Sequence, residues 1–190
     1  MRTDDGFVHA WTLDAELVES TWVGMHAEIV QVLRAASLRL ERGRPGDALA
    51  MLRGPEGFGH LILSAEEIAF NGNAFLGQSG DPFSIERVAR RGILARVGGS
   101  GRRTVRRCDT RGHPYDLAVA AALLVILRHL GDRVRVGTSG SLRSGWGAAA
   151  ALVRETLGEC GQLVQLESGA LGWVNSPISG REAQRNSSSA

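Results

Sequence analysis

The chain has 190 residues, 43% hydrophobic and 22% charged, with a formal net charge of +2. At roughly 100–200 residues per domain, this length holds one domain with extensions, and ordinary globular usage excludes disorder throughout. Two cysteines, Cys108 and Cys160, are too few for a disulfide framework or a four-thiolate zinc site.

In chain order, the first predicted element is a strand from Phe7 to Leu13. Asp14 then caps a helix, with Glu16 and Glu19 near the positive end of its dipole. Val18, Trp22, Met25, Ile29, Val32, Ala36 and Leu40 recur at spacings of four and three, an amphipathic stripe interrupted by Gly24 and closed by Gly43. The glycines and prolines of residues 43–60 predict turns around a short apolar piece, Ala48 to Leu52. Strands follow at His60 to Leu63 and Glu67 to Phe70, then a turn at Asn71-Gly72-Asn73, since Asn and Gly tolerate positive φ. Pro82 to Val88 alternates apolar and polar as a half-buried strand does. Another strand, Ile93 to Val97, leads to the flexible loop Gly98-Gly99-Ser100-Gly101.

Pro114 suits the first position of a helix, and Asp116 falls in its first turn. Leu117 through Leu127 is apolar on every side, so this helix must be enclosed by other elements, yet it is too short for the roughly 20 residues of a membrane span. Gly131 closes it, and Asp132 to Val136 alternates as a strand. Ser144 caps a last helix, Trp146 to Leu157, ended by Gly158, and Leu163 to Leu166 is a final strand. These elements predict an α+β fold, a mainly antiparallel sheet covered by two or three helices, one of them fully buried. A single domain over residues 1–175 is expected, followed by a flexible polar tail over 176–190. Met1 to Leu13 has no basic stretch followed by an apolar run, so no secretory signal is expected, and the chain reads as cytoplasmic with no membrane partner.

Phe70-Asn71-Gly72, Pro82-Phe83-Ser84-Ile85-Glu86-Arg87 and His113-Pro114-Tyr115-Asp116-Leu117-Ala118-Val119 occur in this order, followed by His129-Leu130-Gly131-Asp132, Gly140 and Trp146. In these motifs, over about residues 60–160, the chain resembles a family of small uncharacterised prokaryotic and phage proteins. Where that family has Ser-Asp-Gly, this chain has Thr138-Ser139-Gly140 and lacks the carboxylate. The resemblance implies a unified domain and carries no activity.

The charge is unevenly spread. Residues 1–84 hold 6 arginines against 12 acids, residues 85–111 hold 9 against 2, and residues 112–190 hold 7 against 6. No lysine occurs anywhere, as nucleotide bias in a GC-rich genome would produce. The basic segment contains Arg87, Arg90, Arg91, Arg96, Arg102, Arg103, Arg106, Arg107 and Arg111 around a glycine loop. Such a segment suits phosphate-backbone contact or an acidic protein surface, including that of a second subunit in a homo-oligomer, or is merely solvated. It has no aromatic residue for base stacking and no known nucleic-acid motif.

The leading expectation is therefore a non-enzymatic accessory module that meets a nucleic acid or a protein partner through these arginines. The alternative is a small hydrolase or transferase. Cys108, His113 and Asp116 supply a thiol, an imidazole and a carboxylate near a helix N-terminus, whose dipole lowers a cysteine pKa. The plainer reading has Pro114 and Asp116 starting the helix and His113 capping it. The histidines show no paired helical spacing and the glycine stretches match no nucleotide fingerprint, so no metal or cofactor is expected.

Overall fold

The computed structural model describes residues 7–14, 16–41, 52–88, 103–139, 146–158, 161–166 and 169–174. Along them run β1 (Val8–Asp14), α1 (Glu19–Glu41), β2 (Ile62–Leu63), β3 (Glu67–Phe70), a 3-10 turn (Ala74–Leu76) and β4 (Phe83–Glu86). Then come β5 (Arg103–Asp109), α2 (Asp116–Leu130), β6 (Arg135–Thr138), α3 (Gly147–Leu157), β7 (Gln162–Gln165) and β8 (Leu171–Val174). One sheet has five strands in the order β5-β1-β6-β8-β7 and another has three in the order β2-β3-β4. The described pairings are all antiparallel. The fold is thus α+β, with the mainly antiparallel architecture and the buried helix that the sequence predicts.

That buried helix is α2. Ala118 through Leu127 are all buried, with α1 and α3 packed on the helix and β6 and β8 closing it from the sheet side. Its alanines allow close approach, and Gly24 does the same on α1, where an added Cβ would lie 3.4 Å from His129 Cε1. Gly24 therefore sits inside a continuous helix, as a contact point with α2. Strand β1 alternates: His9, Trp11 and Leu13 are buried while Val8, Ala10 and Thr12 face the other way. Trp11 stacks on Phe83 at 5.1 Å and Phe83 lies 5.0 Å from Phe70, so the two sheets share one apolar core.

Several boundaries depart from the sequence reading. Asp14 does not cap α1; it ends β1, opposite Arg103, and α1 starts at Glu19. The stretch between is held by the β4 end, with Leu17 N donating to Arg87 O at 2.9 Å and Glu16 bridging Val88. Gly131–Arg133 forms a 3-10 turn, so β6 begins only at Arg135. Strands β5 and β8 have no counterpart in the sequence reading. Residues 103–109 read as basic loop and polar cluster, yet seven register positions on β1 make them an edge strand. Strand β8 pairs antiparallel with β7, with Leu166 N donating to Ala170 O (2.8 Å) and Gly169 at φ +77°. The predicted strand Ile93 to Val97, the glycine loop 98–101, Gly43, Ser144 and the tail 176–190 lie outside the described residues.

Candidate functional site

Cys108, His113 and Asp116 gather at the start of α2, but no hydrogen bond joins them. Cys108 lies on β5 opposite His9 and its thiol donates to the Asp81 carbonyl at 3.1 Å, which the Tyr115 hydroxyl also reaches at 2.9 Å. Burial, followed by the negative charge of Asp81, pushes the Cys108 thiol up to about 12. At neutral pH it is a protonated donor and a poor nucleophile, the reverse of what a helix dipole would produce. His113 acts through its backbone: its N–H donates to Thr110 O and its carbonyl accepts from Asp116 N.

Asp116 instead serves a residue that the sequence reading passed over. Its Oδ1 accepts from His9 Nε2 at 2.8 Å and from the Thr110 hydroxyl. His9 is 1% exposed, packs edge-on to Trp146 at 5.4 Å, and leaves its buried Nδ1 without a partner. The signal was present in the alternation, because His9 shares the face of Trp11 and Leu13. The result is a buried clasp between β1, the end of β5 and α2.

The arginines of the basic segment divide. Arg106 turns inward, with Nη2 donating to Glu86 Oε2 at 2.8 Å and Nη1 to Ser84 O at 3.2 Å, so it ties β5 to β4. Arg87 pairs with Glu66 at 2.9 Å. Arg103 lies on β5, and Arg90, Arg91, Arg96 and Arg102 fall outside the described residues. Arg107 points outward with its side chain 64% exposed, and its one ion pair among the described residues is with Asp109, at 4.0 Å. Arg111 is exposed on a turn at φ +54°.

Arg107 belongs to the outward face of the five-stranded sheet. Register places Arg107, Ala10 and Gly137 side by side in one row, and Val105, Thr12 and Arg135 in the next. Arg135 is exposed and has no ion pair among the described residues. Strand spacing and rise put the Arg107 and Arg135 Cα atoms roughly 12 Å apart on a diagonal. On this face a shallow hollow of about 360 Å³ is lined by Ala10, Thr12, Val105, Arg135, Gly137 and Ala170, with Val105 71% exposed and Arg107 one row beyond its lining. Arg135 was missed because the sequence reading looked for basic clusters. The pattern Val134, Arg135, Val136, buried–exposed–buried, could have revealed its direction.

Among the described residues no group of three His, Cys, Asp or Glu side chains could hold a metal ion, and no helix is long and apolar enough to cross a membrane. Compared with known proteins, the chain matches no family model, no curated protein and no solved structure.

Proposed function

We propose that the protein is a binding module that meets an anionic partner on the outward face of its five-stranded sheet. The observation that carries this reading is the pair Arg107 and Arg135 on one sheet face beside the small residues Ala10 and Gly137: among the described residues Arg135 has no ion pair and Arg107 has one, to Asp109 at 4.0 Å. Arginine forks suit carboxylates and phosphates alike, and a guanidinium left unpaired in the fold is available to a ligand. The protonated state of Cys108 and the absence of a hydrogen bond among Cys108, His113 and Asp116 favour binding over nucleophilic catalysis.

Random-sequence duplex DNA serves as the polyanion probe. Retention at low salt should fall as salt rises, with a slope of log affinity on log salt of about 0.9 per phosphate engaged. Replacing Arg107 and Arg135 together by Ser should flatten that slope while the circular dichroism spectrum stays unchanged. Retention by the double variant equal to that of the wild type would remove this face from the reading.

A further inference from the structure

A second surface stands out on the loops around β3. Phe58 and Phe75 pack edge to face at 4.7 Å, yet they are 47% and 79% exposed, and Leu76 beside them is 45% exposed. This knob is rigidly based. The Asn71 amide donates to Pro55 O and Gly80 O, and its oxygen accepts from Gly72 N and Gly80 N. Asn73 Oδ1 accepts from Phe75 N at 3.0 Å, and Ala74 N donates to Gly57 O at 3.0 Å. An aromatic pair displayed on a fixed base loses little conformational freedom on docking and is the side-chain type that anchors interface centres. Glu56 is exposed two positions from Phe58, while the other acids of this stretch are engaged elsewhere: Glu66 with Arg87, Glu67 with Ser84 and Asp81 with Asp109 N.

We propose that this knob docks on the outward sheet face of a second copy of the chain. Phe58 and Phe75 would cover the small-residue floor beside Val105, with Glu56 toward Arg135. The inference rests on the reading of that face as a site for an acidic partner and names the partner. Charge selects this pairing: two knobs face to face would bring the two Glu56 carboxylates together, whereas the sheet face offers Arg107 and Arg135. Knob and face belong to different sheets and each molecule carries both, so the contact is head-to-tail and adds further copies, into a ring or a filament.

Sedimentation velocity of the full chain over a range of concentrations provides the test. Assembly that grows with concentration and weakens with salt is expected. Phe75→Ser and Val105→Asp alter exposed side chains, and each alone should raise the concentration needed for assembly roughly tenfold or more. Mixed one to one, the two variants should recover a dimer that grows no further, since each supplies one intact surface. A wild type that stays monomeric at every concentration overturns the proposal, as does a mixture that stays monomeric. Val105→Asp assembling like the wild type overturns it in favour of knob-to-knob contact. DNA retention separates this failure from that of the binding face, because Phe75→Ser should retain DNA as the wild type does. A monomeric wild type with salt-steep retention would keep the arginine face and remove the second copy.

Discussion

Asp116 stands 8% exposed at the first turn of α2, with two buried donors converging on one of its oxygens. Asp116→Ala leaves His9 Nε2 without its acceptor, at a cost of about 1–3 kcal/mol, while the Thr110 hydroxyl keeps Phe7 O at 3.1 Å. Urea unfolding should register that loss, and Asp116→Asn, which keeps an acceptor oxygen, should recover part of it. Cys108 and Tyr115 behave differently, because burial first of all raises both of them in the folded state. The stability they contribute is complete below the ordinary thiol value of 9.0 and is lost as pH climbs toward about 12, since the unfolded chain ionises first. Each group so affected gives a slope of about 1.4 kcal/mol per pH unit. The urea midpoint should fall over that window, less steeply in Cys108→Ala. If the two slopes are equal, the thiol is not buried as described.

Strand β5 places two neighbouring arginines in opposite roles. Arg106→Ser removes a charge-assisted bond from Glu86, whose side chain is 13% exposed, and should cost about 1–3 kcal/mol. Arg107→Ser, on the solvent side, should stay within about 0.5 kcal/mol. A substitution of all four of Arg102, Arg103, Arg106 and Arg107 would mix these effects, so unfolding and loss of binding could not be told apart. For α2, Leu124 is fully buried, and Leu124→Ala should cost about 2–5 kcal/mol through the cavity it opens. Chemical denaturation measures both series.

At the scale of the whole molecule, the acidic first part of the chain and the basic segment are partly interleaved by the fold. Glu66 of the first part takes Arg87, Arg106 is held by Glu86 within the basic segment itself, and Arg107 and Arg135 project outward. Several of the motif segments meet inside the same fold: Gly72 leaves no room for a Cβ, which would lie 1.9 Å from Gln78 O and 2.7 Å from the Tyr115 ring. Tyr115 then reaches Asp81, and Asp116 reaches His9 beside Trp146. Enclosure by two helices and a sheet makes α2 the last element to open. Amides of residues 123–127 should exchange only through global unfolding, with a free energy equal to that from denaturation. Faster exchange there than in α1 would contradict that enclosure.

Elements whose pattern repeats over many residues were legible in the sequence. The stripe from Trp22 to Ala36, the apolar run of α2 and the alternation of β4 each bury a face that local chemistry announces. Strand β5 was not, because Arg103 to Asp109 has almost no apolar residue; its conformation comes from hydrogen bonds to β1, nearly a hundred residues away. The same separation hid the candidate sites. His9 meets Asp116 across 107 positions, and Arg135 joins Arg107 only because β1 lies between their strands. Local sequence sets which side chains leave water. The pairing of distant strands decides which of the remaining polar groups become neighbours, and that depends on register across the sheet, which no short stretch of sequence encodes.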